Sequence, residues 1–244
     1  MAVGAIKAVV CDAVLTFMWM FCTSATGVVT CIIETAIGVG GSNWTYAILT
    51  VVFAVTIFVF NAIADALGAS FNPAGNASTY AAGLPGDTLF SMALRFPAQA
   101  VGAVGGAMAI NLVMPKRYRH MLVGPSLKVG MHTGAMAEGL LTFLNTFTIL
   151  IISHRISAGS SAKAWLLAMA TVTLVVAGSS YTGPSINPVN AFGWAYMENR
   201  HNTREHFYVY WICPLIGATL AALIFRVVFS QAQPERQKKA EKEE

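Results

Sequence analysis

The sequence predicts an all-α integral membrane protein with six transmembrane helices and two re-entrant half-helices, arranged as an inverted three-plus-three repeat. Three observations carry this prediction. Of 244 residues, 56% are hydrophobic and only 11% charged, whereas an ordinary soluble domain carries about 25% charge. Several long stretches contain no Asp, Glu, Lys or Arg, and they are of the order of the ~20 apolar residues that a spanning helix needs. Finally, two polar stretches, "GASFNPAGNA" (Gly68 to Ala77) and "GPSINPVNAF" (Gly183 to Phe192), share the pattern Gly-x-Ser-x-Asn-Pro.

Cut at their Gly, Pro and polar breaks, the apolar stretches give spans near 8–30, 46–64, 89–113, 131–152, 164–178 and 207–228. The first follows Lys7 and continues well past 15 residues, which fits a span rather than a cleavable signal. It contains Asp12-Ala-Val-Leu-Thr-Phe17, matched in the fourth span by Glu138-Gly-Leu-Leu-Thr-Phe143. Each half therefore runs acidic span, second span, Asn-Pro stretch, third span. Three spans per half force the second half to enter the membrane from the opposite side, and such repeats place the substrate path where the halves meet. Repeat one covers about 8–113 and repeat two about 131–230, within a channel domain of 1–230. Residues 231–244 are expected to form a charged, disordered cytosolic tail.

The Asn-Pro stretches follow spans two and five. Asn is a strong helix N-cap and Pro suits the first helical position, so short helices are predicted over 73–82 and 188–197. Ten residues at 1.5 Å each make ~15 Å, half of a ~30 Å hydrocarbon core. Two such helices entering from opposite faces meet N-terminus to N-terminus, where irregular backbone is tolerated only along a water-filled cavity or inside protein. If each Asn carbonyl caps its own helix, the amide NH₂ groups of Asn72 and Asn187 are left to donate. With about half a positive charge at each helix N-terminus, water is held oxygen-inward and cations are repelled. The arrangement suits small neutral solutes.

Other functions are disfavoured by what the chain lacks. Its net charge of +4 is spread over short loops and the tail without an aromatic-plus-basic platform, which argues against a nucleic-acid partner. Cys11, Cys22, Cys31 and Cys213 have neither metal-ligand spacing nor a disulfide framework and read as small buried hydrophobes. With no Ser-His-Asp set, phosphate loop or His-rich motif, the expectation is a non-enzyme without cofactor or metal.

These motifs resemble the aquaporin (major intrinsic protein) superfamily and, within it, the plant small basic intrinsic proteins. The resemblance runs from Asp12 to Phe225. It rests on Asn72-Pro73-Ala74, on "YTGPSINPV" and "NAFGWAY" around Asn187-Pro188-Val189, and on "AQAVGA" and "YVYWICPLIGATLAAL". It implies a passive channel for water, leaves other small neutral solutes open, and implies a homotetramer in the endoplasmic reticulum membrane with both termini cytosolic. Three departures stand out. Val189 replaces the usual Ala, Asn190 occupies the place of a constriction arginine, and Ser70 stands where many relatives have His. Counting from the motifs puts the remaining constriction positions at Val52, Val175 and Pro184, none aromatic or charged. Together these departures predict an atypical outer selectivity constriction.

Asp12 and Glu138 are ionisable groups within spans, which points to function by default. A proton relay would make the chain a secondary transporter; the resemblance instead implies carboxylates that accept hydrogen bonds from the re-entrant loops. A non-conducting membrane scaffold of the same fold is the other alternative. Arg95 is expected to reach toward an interface or backbone carbonyls, and "GAVGGAMA" (Gly102 to Ala109) to mediate close helix packing. His132, His154, His201 and His206 lie near span ends, where a pH gate is conceivable. With cytosolic termini, eight Lys and Arg fall on that side against six on the other, a weak positive-inside bias. Asn43-Trp-Thr45 matches a glycosylation acceptor on the opposite face, and Asn76-Ala-Ser78 reads as unused.

Overall fold

The computed structural model describes residues 2–230, so the predicted tail 231–244 lies outside the described residues. The elements run α1 (Ala2–Ser24), α2 (Thr26–Ile37), α3 (Ser42–Leu67), α4 (Pro73–Ala81), α5 (Leu89–Val113), a 3₁₀ turn (Lys116–Met121), α6 (Met131–Arg155), α7 (Ser160–Gly178), α8 (Pro188–Met197), α9 (Arg204–Phe207), a π-helical turn (Tyr208–Ile212) and α10 (Cys213–Ser230). Six helical stretches among the described residues are long and apolar enough to cross a membrane: Ile6–Ser24, Asn43–Leu67, Leu89–Val113, Met131–Arg155, Ser160–Gly178 and Arg204–Phe229. The chain is an all-α, multi-pass integral membrane protein.

The first span departs from a single uninterrupted helix. It breaks at Ala25, between α1 and α2, where four consecutive positions are small or hydroxylated. Thr23 Oγ1 donates to the Trp19 carbonyl at 2.8 Å, Ser24 Oγ to Met20 at 2.6 Å and Thr26 Oγ1 to Thr23 at 2.8 Å. Such hydroxyl bonds compete for helix carbonyls and bend the ladder. The sixth span is irregular because Pro214 has no N–H for the regular bond to the Tyr210 carbonyl, and the π-helical turn ends two residues before it, at Ile212.

Glycines set the closest approaches between spans. A Cβ on Gly102 would overlap the Ala13 carbonyl, and one on Gly106 the Phe17 carbonyl, along the α1–α5 seam. The α6–α10 seam repeats the device, with Gly217 against the Gly139 carbonyl. These seams correspond under the repeat, and small residues let membrane helices approach until backbones touch. Gly217→Val should therefore lower the thermal midpoint of the detergent-purified protein, since overpacking costs about 1–3 kcal/mol. Gly40→Ala, where an added Cβ meets nothing within 4 Å, should leave it unchanged. Equal midpoints for the two variants would refute the seam.

Helices α4 and α8 are short, nine and ten residues, or about 14–15 Å each. They stand N-terminus to N-terminus in the interior of the bundle, joined through their capping asparagines. Leu15, Trp19, Ile57, Phe60 and Val172 from α1, α3 and α7 form one buried cluster, against which Ala69 and Phe71 of the loop before α4 pack.

Candidate functional site

The two short helices are capped in the same way. Asn72 and Asn187 both have extended backbone (φ −145°, ψ 112° and φ −144°, ψ 106°) and precede a proline in the first turn. Asn72 Oδ1 accepts from the Ala74 N–H at 3.0 Å, and Asn187 Oδ1 from the Val189 N–H at 3.2 Å. Each amide then reaches across to the other loop. Asn72 Nδ2 donates to the Ile186 carbonyl at 3.0 Å, and Asn187 Nδ2 to the Phe71 carbonyl at 2.8 Å. An amide NH₂ carries two hydrogens, so this cross-bond uses one and leaves the other for a passing molecule.

Ile186 adopts φ +51°, an uncommon conformation for a β-branched residue. It is sustained because Glu138 holds the loop. Ser185 N–H donates to Oε1 at 2.9 Å, Thr182 Oγ1 to Oε1 at 2.8 Å and Ile186 N–H to Oε2 at 3.2 Å. In the first half Asp12 takes the same position, with Ser70 N–H donating to Oδ1 at 2.8 Å. Both carboxylates are fully buried.

The halves differ in what balances the charge. Arg95 forms a two-bond fork on Asp12, Nε to Oδ2 at 2.7 Å and Nη2 to Oδ1 at 2.8 Å, and donates through Nη1 to Asp87 Oδ1 at 2.9 Å. Asp87 Oδ2 accepts from Asn76 Nδ2 at 3.0 Å. Gln99 Nε2 lies 2.7 Å from Asp12 Oδ2 and 2.9 Å from Asn76 Oδ1. This network ties α1, α4 and α5 together. Arg95 thus does not reach toward an interface; it is 8% exposed and bound to carboxylates. Asp87, Gln99 and Asn76 are the residues that sequence reasoning missed. Asn76 is 3% exposed and held in this network.

A cavity of about 540 Å³ runs past both asparagines. Asn72, Asn187, Val175, Pro184 and Asn190 line it, while Pro73, Ala74, Pro188 and Val189 are buried and not among its lining residues. Val52 is also not among them. Its neighbour Phe53 is, with Ile57, Asn61 and Ala64 continuing the same face of α3. The wall therefore contains aromatic rings that the counted positions lack: Trp19 stacks on Phe71 with centroids 4.6 Å apart, and Phe53 lies 6.5 Å from Trp19. Among the described residues no group of three His, Cys, Asp or Glu side chains could hold a metal ion.

Comparison with known proteins agrees with this architecture. The sequence profile of the family described as "Major intrinsic protein" matches residues 1–225. The chain is 52% identical over 236 residues to Aquaporin SIP1-2 of Zea mays, covering 96% of this chain and 97% of that protein. It is 48% identical over 236 residues to Aquaporin SIP1-1 of Arabidopsis thaliana, covering 96% and 98%. Among solved structures, the aquaglyceroporin from Plasmodium falciparum superposes with a TM-score of 0.74 at 15% identity, over 94% of this chain and 99% of that one, a likeness of fold.

Proposed function

Because the chain belongs to the major intrinsic protein family, we propose that the cavity past Asn72 and Asn187 is its conduction path and that Asn190 sets its outer selectivity. The protein is a passive membrane channel for water and small neutral solutes, not an enzyme. One observation carries the pore assignment: each asparagine caps its own short helix and donates to the opposite loop. Two oriented donors and two helix N-termini then face one point, which favours a solute oxygen and disfavours a cation. Asp12 and Glu138 serve as loop supports, which fits their hydrogen bonds better than a proton relay does. Pro73, Ala74, Pro188 and Val189 shape the two caps from behind, and Val175 and Pro184 share the outer constriction with Asn190, with Val52, next to the lining Phe53 on α3, as its fourth position. The working unit is proposed as a homotetramer of 1–230 domains, in the endoplasmic reticulum membrane with both termini cytosolic.

Two measurements test this reading. Solute flux into proteoliposomes should be unchanged when a pH gradient is imposed or collapsed; dependence on the gradient would favour the transporter. Asn190→Arg should lower glycerol passage more than water passage and reduce any cation leak. At ~5 Å and an effective dielectric near 20, the added charge opposes a cation by roughly 3 kcal/mol. An unchanged glycerol-to-water ratio would remove Asn190 from the constriction.

A further inference from the structure

We propose that Asn145 and Thr171 form a solute-binding rung in the wall of this cavity, a third amide donor beside Asn72 and Asn187. The rung would recognise neutral solutes larger than water that carry an acceptor oxygen, namely short polyols and small amides. This rests on the reading of the cavity as the conduction path.

Four observations converge on it. Both residues line the cavity, Asn145 from α6 and Thr171 from α7. Thr171 Oγ1 donates to Asn145 Oδ1 at 2.9 Å, which pins the carbonyl end of the amide as the helix N–H groups pin Asn72 and Asn187. Asn145 is 5% exposed, and among the described residues its Nδ2 has no protein partner; what exposure remains is to the cavity it lines. Its counterpart under the repeat points the same way. Asn145 follows Glu138, and Trp19 follows Asp12, by the same seven residues, or two helical turns, and Trp19 lines the same cavity.

The paired positions thus present unlike chemistry to one passage. Trp19 offers an aromatic wall, extended by Phe71, and a buried indole N–H without an acceptor among the described residues. The Asn145 amide offers donors. A polyol or amide that lays its apolar edge on the rings displaces its neighbouring waters and depends on the amide for its oxygen, whereas a water in a file keeps hydrogen bonds to adjacent waters and does not. A leucine of similar size in place of Asn145 would leave the passing oxygen unpartnered.

The test measures glycerol, urea and water permeability of proteoliposomes holding wild type, Asn145→Leu, Asn145→Asp or Thr171→Val. Loss of one net hydrogen bond corresponds to about a fivefold fall, so Asn145→Leu should reduce the glycerol-to-water and urea-to-water ratios by about fivefold. Asn145→Asp preserves shape and the bond from Thr171 but cannot donate, so it should also lower both ratios. Thr171→Val unpins the amide and should give a smaller fall in the same direction. The oligomer profile in detergent and the amount of each variant reconstituted control for assembly. Wild-type ratios in both Asn145 variants would overturn the proposal, as would a wild-type protein that passes water but neither larger solute. A wild-type protein that passes nothing would instead refute the conduction path itself.

Discussion

Asn187→Leu should abolish most conduction while leaving an assembled protein, with water permeability per reconstituted molecule falling at least tenfold. The substitution removes the cap on the Val189 N–H and the bond to the Phe71 carbonyl together. A lost cap costs about 0.5–2 kcal/mol, and a net hydrogen bond contributes roughly 1 kcal/mol. An apolar side chain also replaces the donor that faces a passing oxygen. Those two losses loosen the loop; the barrier itself rises because water at this point loses its donor and meets an apolar side chain, and every 1.4 kcal/mol of barrier is tenfold in rate. Asn72→Leu should behave alike, because its bonds mirror those of Asn187. Unchanged water permeability in equal amounts of reconstituted Asn187→Leu protein would sink the pore assignment.

Arg95→Met should damage stability more than it damages selectivity. It leaves Asp12, fully buried, and Asp87, whose side chain is 6% exposed, without their cation. Breaking one side of a buried ion pair costs about 3–5 kcal/mol. For a chain of this length that corresponds to a fall in thermal midpoint on the order of 10 °C in detergent, along with poor yield. Arg95→Lys should recover only part of it, since an ammonium keeps the charge but not the two-bond fork on Asp12. The contrast is Arg200, whose pair with Glu198 has both side chains more than 40% exposed. Exposed pairs contribute little, so Arg200→Met should leave the midpoint near wild type. Similar midpoints for the two methionine variants would contradict the supporting network.

The features legible in the sequence are those set by local chemistry. Asn followed by Pro specifies a capped helix start without help from the rest of the chain, and α4 and α8 begin at Pro73 and Pro188. The spans were legible because a bilayer demands unbroken apolar length, although α3 and α7 each begin four residues before their apolar cores. The charge network was not legible. Arg95 meets Asp12 across 83 residues, and Gln99 meets it across 87, so only tertiary packing brings them together. Asp87 lies in a short Gly- and Pro-containing connection that gave no signal of a buried partner. The break at Ala25 did have a local signal, the Thr-Ser-Ala-Thr run, which an apolar-length criterion passes over.

On the proposed function, water moves passively through this protein past the two asparagines. The most direct test is stopped-flow shrinkage of proteoliposomes under an osmotic step, compared with empty vesicles of the same lipid and size. A passive channel gives faster shrinkage, in proportion to the protein reconstituted and indifferent to a pH gradient. Shrinkage no faster than that of empty vesicles, from correctly assembled protein, would contradict it and favour a non-conducting scaffold of the same fold.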